Sequence, residues 1–152
     1  SLKSRYRLMW MDAVYEPGEV KVVAYNKDGK AVAEKTVRTA GKPHHIELVS
    51  NRNELTADGK DLAYVTVKVV DKDGNLCPTD SRLIHFSVKG AGKFRAVANG
   101  DPTNLEQFHL PKMHAFHGML TAIVQAGEIA GDLVLTAKAS GVKTGTVHLQ
   151  AK

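Results

Sequence analysis

The chain has 152 residues, of which 43% are hydrophobic and 24% are charged. This is an ordinary globular composition, and it excludes a disordered, collagenous or coiled-coil chain. No apolar run approaches the ~20 residues of a membrane-spanning helix, and residues 1–11 show no cleavable export signal, so we expect no membrane insertion. The net charge of +5 raises nucleic acid as a partner, but lysines and acidic residues alternate along the chain, so we expect none.

The first 42 residues contain three strand-like runs, at residues 6–11, 19–25 and 31–38, joined by Pro-Gly and Asp-Gly turns. Three strands bury too little surface to fold alone. Trp10, Val20 and Val22 nevertheless supply more apolar surface than a solvated linker needs. Residues 39–43 combine Gly and Pro, which is typical of an interdomain linker.

From residue 43 onward, apolar and polar residues alternate with a period of two, as in half-buried antiparallel strands, and no window shows a helical stripe. The pattern predicts seven strands, at residues 45–49, 62–71, 83–89, 93–98, 119–125, 131–139 and 142–151. Seven short strands in this length predict an all-β fold, an immunoglobulin-like β-sandwich. Cys77 is the only cysteine, so the antibody disulfide is absent. The predicted core consists of Leu62, Val65, Val67, Val69, Ile84, Phe86, Val88, Leu120, Ala122, Val124, Leu133, Leu135, Val147 and Leu149.

We therefore divide the chain into two domains. Residues 43–152 are predicted to form the complete sandwich, and residues 1–42 the last three strands of a preceding immunoglobulin-like domain whose opening strands lie outside this sequence. The alternative is an N-terminal extension that pairs with the main sandwich. An unpaired edge with valine-rich faces also predicts self-association through residues 1–42.

Two groups of residues suggest metal sites. Asp71, Asp73 and Asn75 alternate like the opening of a calcium loop, but Arg82 stands where the closing bidentate glutamate is expected, so a hairpin turn is favoured. His109, His114 and His117 form the closest histidine group, for which surface or loop packing is favoured over structural zinc. We expect no metal and no cofactor.

Residues 99–108 form the longest stretch without strand character. Loops of this length often carry function. Asn99, Asp101 and Asn104 could hydrogen-bond sugar hydroxyls, while Phe108 could stack on a pyranose ring, which makes these four residues a candidate sugar contact. In the alternative interpretation the Asn and Asp side chains satisfy their own backbone, and Phe108 anchors the loop to the core.

Several runs resemble a known family. Residues 15–25, YEPGEVKVVAY, and residues 37–43 resemble the end of the immunoglobulin-like domain that follows the catalytic barrel in bacterial glycoside hydrolase family 2 β-galactosidases. Residues 51–62, 70–75 and 90–102 resemble the C-terminal domain of those enzymes, which is similar to invasin and intimin modules.

The resemblance implies an enzyme, a retaining glycosidase, as the parent protein. Its two catalytic glutamates would lie in a TIM barrel outside this chain, so no catalytic residue carries over to this sequence. The function expected from it is that of a non-catalytic accessory region in carbohydrate degradation, in contact with the barrel and other domains of a secreted or periplasmic parent. The alternative is an independent carbohydrate-binding or adhesion module.

Overall fold

The computed structural model describes residues 9–152, which contain strands and no helix. The chain divides into two compact units, Ser1–Thr39 and Ala40–Lys152. Within the described residues there is no helix long and apolar enough to cross a membrane.

The first unit contains an antiparallel hairpin of β1 (Glu19–Tyr25) and β2 (Ala31–Arg38). Both strands have the predicted bounds. Asn26 shapes the turn between them, because its side-chain oxygen accepts hydrogen bonds from the N–H groups of Asp28 and Lys30. A strand was also predicted at residues 6–11. Met9 and Trp10 lie in no strand, and residues 6–8 lie outside the described residues.

The hairpin has one charged face and one apolar face. On the charged face Lys21 pairs with Glu34 at 2.8 Å and Arg38 with Glu19 at 2.7 Å. On the other face Val20 lies directly opposite Val37, and these side chains are 66% and 63% exposed. Among residues 9–39, the hairpin therefore leaves its apolar face uncovered.

The second unit is a sandwich of two sheets. The four-stranded sheet has the order β3-β5-β9-β7, and the five-stranded sheet has the order β4-β11-β10-β6-β8. These strands are β3 (His45–Ser50), β4 (Glu54–Leu55), β5 (Leu62–Val70), β6 (Leu83–Gly90), β7 (Gly92–Ala98), β8 (Lys112–His114), β9 (Met119–Ala126), β10 (Gly131–Lys138) and β11 (Gly145–Ala151). The two orders correspond to the A-B-E-D and G-F-C sheets of an immunoglobulin fold, with β4 added beside the G strand, β11, and β8 added beside the C strand, β6. All seven predicted strands are confirmed, whereas β4 and β8 were not predicted.

The core lies between the two sheets, where alternate residues of each strand meet. Most predicted core residues are fully buried. The prediction of full burial is wrong for Leu62, Val88 and Val147, which are only partly buried. Leu62 is the first residue of β5, and Val147 lies on β11, whose outer neighbour β4 has two residues. Buried residues that the sequence did not indicate include Ile46, Leu55, Cys77, Val97 and Met113.

A single residue, Ala91, connects β6 in one sheet to β7 in the other. Gly90 makes this corner possible with a φ of +93°, a left-handed conformation that favours glycine. The Ala91 N–H donates a hydrogen bond of 2.8 Å to the carbonyl of Asp132 on β10. The corner thus brings the backbone of β6 into direct contact with the start of β10.

Candidate functional site

The candidate sugar-contact residues lie in the loop between β7 and β8, residues 99–111. The side chain of Asn99 links both ends of this loop: its Nδ2 donates to the carbonyl of His114 at 3.0 Å, and its Oδ1 accepts from the N–H of Asp101 at 3.1 Å. Asn104 also donates to this Oδ1, at 3.3 Å, and its own side-chain oxygen accepts from the N–H of Glu106. The structure therefore brings Asn99, Asp101 and Asn104 together.

Most polar atoms of this group are engaged inside the loop. Oδ1 of Asp101 accepts from both the N–H and the hydroxyl of Thr103, at 2.8 and 2.7 Å. These bonds, together with nearby His117, lower the pKa of Asp101. These Asn and Asp side chains therefore make the hydrogen bonds within their own loop that the alternative interpretation expects.

A second device holds the loop to β8. The carboxylate of Glu106 contacts His114 twice, with Oε2 accepting from its N–H at 3.1 Å and Oε1 lying 3.0 Å from its Nδ1. Sequence reasoning missed Glu106, because nothing in the eight-residue separation indicates that the two residues meet. The loop is consequently held at both Asn99 and Glu106.

The apolar side chains of the loop point to solvent. Phe108 is 55% exposed and Leu105 is 96% exposed. The backbone of Phe108 is held, since its carbonyl accepts from the N–H of Val97 at 2.8 Å, but the exposed ring does not anchor the loop in the core. That part of the alternative interpretation is wrong. The loop presents an exposed ring on an ordered backbone.

Asp71 is the one charged residue that is buried in the described part of the chain, with 2% exposure. Its Oδ2 accepts from the N–H of Gly41 at 2.8 Å, and its Oδ1 accepts from the N–H groups of Asp73 and Asn75 at 2.9 and 2.8 Å. These donors, with the Asn75 amide, hold the pKa of Asp71 far below its ordinary value. Because N–H donors surround the carboxylate, this is a hairpin turn and a poor environment for calcium.

We expect Asp71→Asn to lower the melting temperature at pH 7 by roughly 5–10 °C, because the buried N–H donors lose a charged acceptor. A pKa lowered by folding stabilises the protein above the unfolded-state value of about 3.8, and this contribution is lost as pH falls towards the folded-state value. The difference between wild type and variant should therefore shrink below about pH 4 in melts followed by circular dichroism. Asp73→Asn, at a 61% exposed side chain of the same turn, is the control and should change little. Equal losses in both variants would contradict the assignment.

The histidines do not converge. His114 faces Glu106, whereas Nδ1 of His117 lies 3.2 Å from the carbonyl oxygen of Pro78 and its ring packs 4.2 Å from that of Phe116. His109 is exposed. Among the described residues, no three His, Cys, Asp or Glu side chains are placed to hold a metal ion. The structure thus offers no geometry on which the zinc hypothesis could be developed.

The remaining aspartates with shifted pKa values also serve turns. Backbone N–H groups of Lys60 and Asp61 lower the pKa of Asp58, and the N–H of Thr56 lowers that of Asp61. Asp80 is less simple, because burial raises its pKa but hydrogen bonds from Arg82 outweigh this and lower it overall. All of these carboxylates are thus held in the charged, hydrogen-bond-accepting form.

Comparison with known proteins decides the family. The model of the family "Glycoside hydrolase family 2 C-terminal domain 5" matches residues 46–148, which is most of the sandwich. The chain belongs to this family. A second family model, a domain of unknown function called DUF4982, matches residues 2–33. The resemblance to glycoside hydrolase family 2 is therefore confirmed.

Individual relatives agree with this assignment. The β-galactosidase BoGH2A of Bacteroides ovatus is 44% identical over 138 residues, which is 91% of this chain and 16% of that protein. A β-glucuronidase of Formosa agariphila is 27% identical over 96% of this chain and 15% of its own length. The crystal structure of a glycosyl hydrolase family 2 member from Bacteroides cellulosilyticus superimposes with a TM-score of 0.85 and 31% identity, covering 92% of this chain and 18% of that one. The chain thus spans less than one fifth of the length of these relatives.

Proposed function

We propose that this chain is a non-catalytic accessory region of a retaining glycoside hydrolase whose catalytic residues lie elsewhere in the parent. The observation that carries the proposal is the family match of residues 46–148, a C-terminal domain of glycoside hydrolase family 2. Curated relatives named β-galactosidase and β-glucuronidase make β-galactosides, and after them β-glucuronides, the proposed substrates of the parent. The contact partners are then the catalytic barrel and the other domains of that parent.

The carboxylates of the chain support a non-catalytic role. Retaining hydrolysis needs two carboxyl groups about 5–5.5 Å apart, one of which has a raised pKa so that it can donate a proton. Asp58, Asp61, Asp71, Asp80 and Asp101 all have pKa values shifted down, because they accept hydrogen bonds from their own turns or neighbours. These five groups are therefore prepared to stay ionised, which is the opposite of what a general acid requires.

The test compares this chain with its parent. We expect the purified 152-residue chain to release no nitrophenol from a nitrophenyl β-galactoside or β-glucuronide above the rate of buffer alone. The full-length parent should cleave one of the two, and replacing the glutamates of its barrel should abolish cleavage. Turnover by the 152-residue chain, or a parent that cleaves neither glycoside, would contradict the proposal.

We also propose that the hairpin of the first unit completes a preceding immunoglobulin-like domain of the parent. Two observations support this: the apolar face around Val20 and Val37 is uncovered, and a separate family model matches residues 2–33. A two-stranded hairpin is marginally stable by itself, so further strands are needed to cover that face.

The uncovered hairpin face predicts that the chain by itself associates through it. Sedimentation velocity from low to high micromolar concentration should show a concentration-dependent dimer, and Val20→Lys with Val37→Lys should shift the population to monomer because buried charge opposes the contact. Val49→Lys, at a 47% exposed valine of the second unit, is the control. A wild-type chain that stays monomeric throughout would contradict the prediction.

A sugar contact at the β7–β8 loop remains a second proposal, supported by the exposed ring of Phe108 on a backbone fixed by hydrogen bonds. Asn99, Asp101 and Asn104 would then orient the loop and supply their remaining hydrogen-bonding capacity. Phe108→Ala should abolish retention of the chain on a neutral galactan gel, whereas Leu105→Ala should not. Retention that does not change in Phe108→Ala would remove this site.

A further inference from the structure

Three lysines of the second unit lie on the outward side of the five-stranded sheet. Ile84, Phe86, Met113, Leu133 and Leu135 point into the core, so the alternate residues of the same strands point outward. We call this outward side the lysine face. It includes His85, Ser87 and Lys89 on β6, Lys112 on β8, Val134, Thr136 and Lys138 on β10, and Thr146 and His148 on β11, with Leu83, His114, Asp132 and Gln150 at its margins.

The register of the strands aligns two lysines and a histidine on this face. Lys138 lies directly opposite His85, and His85 lies directly opposite Lys112. Directly opposite side chains have their Cβ atoms about 4.5–5.5 Å apart, so the two lysine positions, each opposite His85, are about 10 Å from one another. One row across three neighbouring strands therefore holds two ammonium groups with a histidine between them.

On the other sheet surfaces of the chain, some cations have acidic partners. On the hairpin, Lys21 and Arg38 each have a glutamate partner across the strands, and on the four-stranded sheet Lys68 pairs with Glu47 at 3.3 Å. None of the ion pairs among residues 9–152 includes Lys89, Lys112 or Lys138. Lys89, Lys112 and Lys138 are therefore exposed cations without an ion pair, as Lys93 and Arg95 on β7 also are.

Few acids are close to the face, and most are engaged. Glu106 is held by His114, and Glu54 on the edge strand pairs with Lys152. Asp132 points outward on β10 opposite Gln150, at the end of the strand away from Lys138. In the register of the described strands, no acidic residue lies directly opposite Lys138, His85 or Lys112.

Hydroxyl groups fill the centre of the face. Ser87 lies opposite Thr136, which lies opposite Thr146, in the row next to the cationic one. Beyond it Lys89 and His148 flank Val134. From strand spacing, the face measures roughly 13 Å along the strands and roughly 14 Å across β11, β10, β6 and β8. Cations at its margins and hydroxyls between them suit a ligand that carries both anionic groups and hydroxyls.

We propose that the lysine face binds an acidic polysaccharide, with Lys112 and Lys138 contacting carboxylate or sulfate groups and Ser87, Thr136 and Thr146 contacting sugar hydroxyls. This inference rests on the proposed function, in which the parent acts on carbohydrate. A nucleic acid fits less well, because the outward residues of the face include no arginine for bidentate phosphate contacts and no Phe, Tyr or Trp ring for base stacking. The charged contacts make binding fall with rising salt.

The test uses the full 152-residue chain at low salt in affinity electrophoresis. The probes are polygalacturonate for carboxylates, heparin for sulfates, dextran as a neutral polysaccharide and a DNA duplex. We expect retardation by one or both acidic polysaccharides and none by dextran. The polysaccharide that causes the greater retardation shows whether carboxylate or sulfate is the preferred anion. Lys112→Gln with Lys138→Gln should weaken binding about tenfold, and because both side chains are exposed and in no ion pair, this variant should melt close to wild type.

The matched control is Lys93→Gln with Arg95→Gln on β7, which removes the same charge from exposed positions of the other sheet. We expect it to bind as wild type does. Equal weakening in the two variants, equal binding of DNA, or no retardation by either acidic polysaccharide would overturn the inference. None of these outcomes affects the cleavage assays of the parent, so failure here is distinguishable from failure of the proposed function.

Discussion

Gly90→Ala should destabilise the sandwich by about 3–5 kcal/mol, which is a large part of the stability of an ordinary domain. A Cβ at this position would lie 2.0 Å from the carbonyl oxygen of Asp132, a backbone atom of β10 that cannot move without breaking the sheet. The φ of +93° adds the strain of a left-handed conformation. Urea unfolding followed by circular dichroism measures the change, and we expect a much lower midpoint or an unfolded chain.

Gly100→Ala is the matched control for this prediction. Gly100 has a similar φ of +79°, but a Cβ there would meet nothing within 4 Å. The control therefore carries only the conformational strain, about 1–2 kcal/mol. If the two variants unfold at the same urea concentration, the close approach of Gly90 to Asp132 adds nothing to the cost of the substitution, which would contradict the prediction.

Met113→Ala should cost about 2–5 kcal/mol, because it leaves a cavity under β8. Met113 is completely buried, although its strand contains three residues and both of its neighbours are exposed. The same strand carries His114, to which Asn99 and Glu106 attach the loop. We therefore expect the variant to lose hydrogen-exchange protection in the loop as well as global stability in urea.

Two further variants separate packing from other causes. Met113→Leu keeps most of the volume and should cost less than about 1.5 kcal/mol. Leu105→Ala, at a side chain that is 96% exposed in the attached loop, should change stability by less than about 0.5 kcal/mol. A Met113→Ala variant as stable as Leu105→Ala would show that β8 is not anchored through this side chain.

The alternation of apolar and polar residues predicted the long strands, because each of them has one face in the core. Val65, Val67 and Val69 on β5, for example, are all completely buried, and the residues between them are not. Strands β4 and β8 escaped prediction because two or three residues cannot display a period. Met113 was missed for the same reason, since Lys112 and His114 give its surroundings a polar character.

The candidate site was predictable only where the interactions are local. Asn and Asp residues in a loop commonly bond to the backbone two positions away, as Asn99 and Asp101 do. The contact of Glu106 with His114 depends on how the loop returns to the sheet. The row of Lys138, His85 and Lys112 depends on pairing between residues 53 and 27 positions apart, and register of that kind cannot be read from one sequence.

The connection at Ala91 has a consequence for how this domain can be cut or lengthened. Because the connection between the two sheets is one residue long, it offers a protease no extended segment to bind. An inserted residue would shift the register of β7 relative to β9. Insertions and deletions among relatives should therefore occur in long connections such as the loop before β8, residues 99–111. Engineered fusions or split points should be placed in the same loop.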